Sequence, residues 1–394
     1  MARYQNIRRM LAGLCLVGAP ALAGVLPEDR ADILYHRYEG GGITIQGPSV
    51  LIRKKIGDNF SFSANYYEDL ISSASIDVLL SASPYHETRK QKSFSADYQH
   101  GKTTYTVGYI NSVEPDYKAN TAYYSISQDM FGDLTTVTMG YRRGWDQVFR
   151  DIKVNGVIQN DPAFHEEADH RAYTLGLSQI LTRNMILSLN YEADTDQGYL
   201  ASPYRKIRVC NSPPPACTAF SLADQVYPNT RTSNAASASV KYFLPYRAAI
   251  TGMYRFFSDT WGINAHTAEV DYTHPAWKHW IFDGSLRYYR QNAADFFSDL
   301  YPRANYANFM ARDRELAAFH SITVGVGASY EFSVPRAPWI NKSSLNIRLD
   351  RMMIDYGDYR NALYTKNNAA IAPGNDPLYA LDATVLQIFA SIWF

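Results

Sequence analysis

Cysteine is nearly absent from this sequence, with three residues in 394, and no segment beyond the first 23 holds 18 consecutive apolar residues. The second absence excludes a membrane-spanning helix. An excess of charge is missing too: 38 basic side chains are matched by 38 acidic ones. That balance gives no support for a nucleic-acid partner. Catalytic signatures are also lacking. There is no G-x-S-x-G elbow, no H-E-x-x-H pair and no Walker sequence, so neither an enzyme nor a cofactor is expected. The run Gly40-Gly41-Gly42 precedes a strand rather than a helix and reads as a turn.

What is present is aromatic and alternating. Tyrosine occurs 31 times against six tryptophans, a load suited to the interfacial girdles of a membrane barrel. Mean hydropathy is only −0.30, yet barrels conceal themselves from hydropathy because each strand alternates lipid-facing and lumen-facing residues. Segments of this kind recur nearly to the end, for example 60–67 (FSFSANYY), 134–143, 321–332 and 345–355. The tally is sixteen strands, with fourteen also compatible, and an even number places both ends on one side. Turns at 57–59, 100–102, 132–133 and 182–184 are tight. Long polar loops are expected at 69–90, 144–170, 195–232, 291–318 and 356–380. Short turns on one rim and long loops on the other are the asymmetry of a transmembrane barrel. The fold expected is one all-β domain over 24–394, a transmembrane antiparallel up-and-down β-barrel.

The ends of the chain agree with that class. Arg3, Arg8 and Arg9, the apolar run 10–19 and the small-x-small triplet Ala21-Leu22-Ala23 predict an export signal over 1–23, cleaved before Gly24. Leu14 before Cys15 argues against a lipoprotein anchor. Counting back from the terminus, Phe394, Ile392, Ala390, Ile388 and Leu386 form one apolar face. That strand is expected to close the barrel against 33–38, since no open sheet edge survives in lipid. Ile392 and Phe394 then carry the assembly signal. Deleting Phe394, or placing Asp at 392, is expected to abolish assembly.

Alternation also sorts the charges. If Ile322, Val324 and Val326 face lipid, then Thr323, Gly325, Gly327, Ser329 and Glu331 face inward. Extending the pattern puts Arg53, Asp97, Arg142, Glu192, Lys241, Arg255, Glu269, Asp271, Asp283, Arg287, Arg348 and Asp350 inside as well. An Arg or Lys facing lipid at the midplane costs about 2–4 kcal/mol, which explains why the mid-strand charges share a side. Two readings follow for them: lining of an aqueous pore, or a network paired across the lumen that partly fills it. Sixteen strands leave room for water, and long loops could fold in to constrict it.

Other polar features carry less. Cys210 and Cys217 flank a proline-rich loop and are expected to form a local disulfide, with free thiols or a metal pair as alternatives. The stretch 161–170 (DPAFHEEADH) holds His165, Glu166, Glu167, Asp169 and His170, and 295–299 (DFFSD) lies near Asp313 and Glu315. Either could hold a divalent cation, but polar external loops commonly carry such clusters, and no metal site is assigned. His266, His274, His279 and His320 fall near strand ends, and no spacing selects a catalytic partner for any of them.

Several blocks resemble an uncharacterised family of Gram-negative outer-membrane barrels classed only as a domain of unknown function. They are 35–55 (YHRYEGGGITIQGPSVLIRKK), 72–78 (SSASIDV), 127–136 (SQDMFGDLTT), 244–250 (LPYRAAI), 257–263 (FSDTWGI), 294–302 (ADFFSDLYP) and the terminal SIWF. The resemblance implies a Gram-negative outer membrane, with lipid, lipopolysaccharide and the barrel assembly machinery as partners. It also implies genes beside small lipoproteins, thioredoxin-like proteins and flavin transferases, hence a periplasmic lipoprotein or redox partner. The function expected is a pore or conduit for small solutes. The alternative is a non-conducting barrel that scaffolds a partner in an envelope redox system.

Overall fold

The computed structural model describes residues 25–81, 85–155, 157–212, 217–368 and 370–394; the expected export signal lies outside them. Sixteen strands close into one antiparallel barrel in simple meander order. They are β1 (Arg30–Gly40), β2 (Ile43–Ile56), β3 (Phe60–Ser73), β4 (Tyr85–His100), β5 (Thr103–Val113), β6 (Tyr117–Met130), β7 (Thr135–Val154), β8 (Val157–Thr182) and β9 (Met185–Gly198). After a small separate hairpin, β10 (Lys206–Cys210) and β11 (Phe220–Asp224), the barrel resumes. Its second part is β12 (Thr230–Phe243), β13 (Ala249–Asp259), β14 (Asn264–Ala276), β15 (Trp280–Gln291), β16 (Phe319–Phe332), β17 (Lys342–Arg360) and β18 (Leu378–Trp393). The seam joins β1 to β18 without interruption, from Arg30 opposite Trp393 to Gly40 opposite Ala383. Every barrel strand therefore has two neighbours, the condition that hydrocarbon imposes on a sheet.

The outer surface is what apolar solvent requires. Val270, Leu286, Val324, Val326, Leu345, Ile347 and Leu349 stand exposed on neighbouring strands, a continuous apolar band that water would not tolerate. Aromatic rows bound it. Near the rim that carries both barrel ends, Phe60 packs on Tyr98 at 4.8 Å and Trp280 on Tyr330 at 5.0 Å. Toward the other rim, Tyr141 packs on Tyr124 at 5.7 Å and on Tyr173 at 5.1 Å. We call the first the terminal rim and the second the loop rim.

Connections at the terminal rim are short throughout, the longest being 333–341. At the loop rim the turns 41–42, 114–116 and 260–263 are equally tight, and length is concentrated in 74–84, 199–229, 292–318 and 361–377. Gly41 and Gly42 take φ of +58° and +75° in the first of these turns, a conformation glycine adopts without steric cost. A Cβ on Gly42 would meet the Ala74 carbonyl oxygen at 2.6 Å.

One expectation is corrected here. Residues 144–170 are not a loop: β7 runs on to Val154 and β8 begins at Val157. Phe149 stacks on His165 at 5.1 Å, and Arg150 pairs with Asp161 across the ladder. Loss of apolar residues there marks where the hairpin leaves lipid, not where it leaves the sheet. The expected loops 69–90 and 356–380 are likewise trimmed, because β3 continues to Ser73, β4 starts at Tyr85, β17 reaches Arg360 and β18 begins at Leu378.

Candidate functional site: the lumen and the loops over its mouth

Strand parity sets the inner wall. Cross-strand partners share a face, so the exposed Val324 and Leu286 orient the odd-numbered positions of β15 and β16 inward. Carried around the register, the same rule puts Arg53, Asp97, Arg142, Glu192, Lys241, Arg255, Glu269, Asp271, Asp283, Arg287, Glu331, Arg348 and Asp350 on the inner face. These charges pair along the wall. Arg348 meets Asp350 at 2.8 Å and donates to the Ser285 hydroxyl at 2.7 Å. Arg287 lies 3.9 Å from Glu269, Arg142 3.5 Å from Glu192, and Glu331 2.6 Å from Lys342. Thr106 donates to Asp97 and Thr273 to Asp283. Among the described residues no ion pair joins opposite walls.

Glycine makes room for this arrangement. A Cβ on Gly325 would fall 2.2 Å from an Asp350 carboxylate oxygen and 2.4 Å from the Ser285 hydroxyl. Without side chains at 325 and 327, Arg348 can reach across β16 to Ser285 on β15. Arg142 remains about half exposed even though it faces inward, with 45% of its side chain accessible. Solvent thus reaches Arg142, and Arg287 is 36% accessible on the same inner face, whereas Asp97 and Asp350 are buried against their neighbours.

The loop rim is different. Inward positions of β16–β18 there are apolar, and Phe319, Ile354, Tyr356, Leu381 and Ala383 are buried with Tyr359, Tyr379 and Ala317. Ile43, Ile45 and Ile71 form a second buried group beside them. This was not expected from a polar-inside rule. The available signal was β18 itself, whose residues 379, 381, 383 and 385 are apolar on the face opposite Leu386, Ile388, Ala390 and Ile392. A strand apolar on both faces has a covered lumen side.

What covers it is a cap of three long loops tied by buried charge. Arg208 of β10, fully inaccessible, donates to Asp376 at 2.7 Å and pairs with Asp299. Arg312 donates to the other Asp299 oxygen at 3.0 Å and to the Arg360 carbonyl at 2.8 Å, and lies over the Tyr359 ring at 4.5 Å. Thr365 also donates to Asp376. Loops 199–229, 292–318 and 361–377 thus meet at one knot. A second tie joins Arg205 to Asp313 at 2.8 Å and to Glu315. Burial alone would raise the Glu315 carboxyl, but the Arg205 guanidinium outweighs it and holds the group down at about 2. Burial prevails over Arg205 at Asp313, whose carboxyl is raised. Gln291 fastens the cap to the wall through the carbonyls of Ala317, at 2.8 Å, and Glu315. Lys366 reaches the Leu79 carbonyl at 2.7 Å, linking the short helices Leu363–Asn367 and Ile76–Ser81.

Several acids of the two cation-site readings have basic partners. Asp313 and Glu315 take arginine, and the 161–170 acids separate: Asp161 binds Arg150, Asp169 binds Arg143 and Arg171 on the outer face, and His170 turns inward to Asp196 at 2.7 Å. Among the described residues no group of histidine, cysteine and acidic side chains is arranged to hold a metal. Cys210 and Cys217 are bonded and close the tip of the β10–β11 hairpin. Ile392 lies on the outer face opposite Ala31. Phe394 follows β18, with its ring under the Lys54 ammonium at 4.9 Å and beside Trp339.

A family model described as "Protein of unknown function (DUF3570)" matches residues 76–359. The chain belongs to this family. No curated protein matches it. Among solved structures it is similar to a bacterial polysaccharide outer membrane secretin, at 8% identity and TM-score 0.48, covering 94% of this chain and 100% of that one. A FadL homologue of Pseudomonas aeruginosa matches at 11% identity and TM-score 0.44, over 94% and 91%. The ferric enterobactin receptor of the same organism matches at 10% and 0.43, over 84% of this chain and 54% of that one. In this member of the DUF3570 family the strands form a closed antiparallel barrel of sixteen.

Proposed function

We propose that this protein is an outer-membrane conduit for small polar solutes whose external mouth is controlled by the loop cap. The observation that carries the reading is the contrast within the lumen. Its middle is lined by charges that satisfy one another along the wall, with Arg142 and Arg287 still reached by solvent. Its mouth is closed over by loops bound through buried ion pairs. Mixed wall charge disfavours strong ion selectivity, because attraction to one sign is offset by the neighbouring residue of the other.

Single-channel recording of the refolded protein tests this. Wild type should give small or intermittent conductance, and Arg208→Met, which unties the knot, should give larger and steadier steps. Silence from both would overturn the conduit. It would favour the second reading, a barrel that scaffolds a periplasmic partner, which the interlocked cap also supports.

A further inference from the structure

Above the outer aromatic row, the lipid-facing surface is not uniform around the barrel. On β4 to β8 it becomes basic. Two residues beyond Phe94 on the same face stands Lys92, and beyond it Lys90. Register carries the row across the sheet: Lys92 lies opposite Asn111, Asn111 opposite Asn120, Asn120 opposite Trp145, and Trp145 opposite Asp169. Lys118 lies one step above Asn120, and Arg143 is paired directly with Arg171 one step below Trp145 and Asp169. All five cations are exposed. Their carboxylate neighbours are Glu68, Asp169 and Glu167, so positive charge is in excess.

The donors are also ready for an anion. Lys90, Lys92 and Lys118 form no ion pair with another described residue; Lys118 rests over the Phe149 ring at 5.3 Å. Arg143 and Arg171 share the two oxygens of one carboxylate, Asp169, each at 2.8 Å. That sharing fixes both guanidinium planes and leaves donors on each unused. The other half of the circumference lacks this excess. There Arg37 has Glu39 at 2.8 Å, Arg351 has Asp382 at 2.6 Å, and the exposed Arg290 lies opposite His320, which has Asp355 at 3.6 Å, so three arginines face three carboxylates. From β9 to β14 the same level carries neutral Thr195, Asn234, Ser258 and Asn264.

We propose that the β4–β8 face binds the phosphorylated headgroup of a membrane lipid, with the acyl chains lying on the apolar band below it. Five cations over four strand spacings, roughly 19 Å, suit a headgroup bearing two phosphates better than a single free anion. Tyr109, one step below the row, and Trp145, within it, pack at 6.2 Å and supply the interfacial platform. The proposal rests on the loop rim facing outward in the outer membrane, but not on conduction.

The test titrates the refolded protein in zwitterionic micelles with bisphosphorylated lipid A, monophosphorylated lipid A, phosphatidylethanolamine and inorganic phosphate, counting bound lipid by native mass spectrometry. Bisphosphorylated lipid A should bind tightest, monophosphorylated lipid A less, and phosphatidylethanolamine least. Lys90→Gln/Lys92→Gln/Lys118→Gln should weaken the first by roughly 100-fold, at about one elementary surface contact per lysine. Arg37→Gln/Arg351→Gln should leave it unchanged. Both variants alter exposed side chains, and retention of the heat-modifiable gel band will show that they are folded. Equal affinity in the triple variant would overturn the proposal, as would equal binding of phosphatidylethanolamine. Full competition by millimolar phosphate would reduce the face to a simple anion site. A barrel that never conducts yet shows this pattern would sink the conduit and leave the lipid face standing.

Discussion

The mid-lumen wall and the cap use the same residue types to opposite ends. On the wall, Arg142 and Glu192 face each other across β8 and Arg287 and Glu269 lie on adjacent strands, and water still reaches all four. In the cap, Arg208, Asp299, Arg312 and Asp376 come from separate loops and are sealed from solvent. An exposed pair contributes little, about 0–1 kcal/mol, because water competes for both partners. A sealed pair is different, since removing one member strands a buried charge. Charge on the wall is therefore a lining, and charge in the cap is a lock.

That contrast can be broken. Arg208→Met leaves Asp376 and part of Asp299 without their cation, and should cost the cap about 3–5 kcal/mol. Hydrogen exchange and limited proteolysis should show loops 199–229, 292–318 and 361–377 opening together while the heat-modifiable barrel persists. Opening of one loop alone would disprove a shared lock. Val326→Arg, on the outer face mid-strand, should destabilise the barrel itself by about 2–4 kcal/mol. Urea unfolding in lipid vesicles measures it, and an unchanged midpoint would contradict the lipid-facing register.

Acid should loosen the cap more gradually. The Glu315 carboxyl is held below its usual 4.5, so its contribution is present above that value and is lost as pH falls toward about 2. Asp313, raised by burial, works in the opposite direction and offsets part of the loss. Protease sensitivity of loop 292–318 should rise between pH 4.5 and 2 in wild type but not in Glu315→Gln; a parallel rise in both would remove Glu315 from the account. The smallest effect belongs to the wall. Arg142→Gln, which removes the exposed partner of Glu192, should change stability by no more than about 1 kcal/mol, and a loss comparable to that of Arg208→Met would erase the distinction between wall and cap.

Legibility divides along the same line. The inward position of Glu269, Asp271, Asp283 and Arg287 was readable because a strand repeats every two residues, whatever lies across the lumen. The hairpin at 144–170 was misread because its outer face turns polar where it leaves lipid, although its ladder continues through Phe149 and His165. The apolar inner faces of Tyr379, Leu381 and Ala383, and of Ile43, Ile45 and Ile71, broke the rule for a wet lumen and were the local signs of a cover.

Sequence alone determined the barrel, its seam and the side on which each mid-strand charge falls, because these follow from alternation between near neighbours; it left sixteen and fourteen strands both compatible, and the closed sheet has sixteen. Tertiary structure decided the cap. Arg208 finds Asp299 across 91 residues and Asp376 across 168, and no local period records a contact between loops that distant. Only the closing of the barrel brings those three loops over one mouth, where burial makes the choice of partner binding.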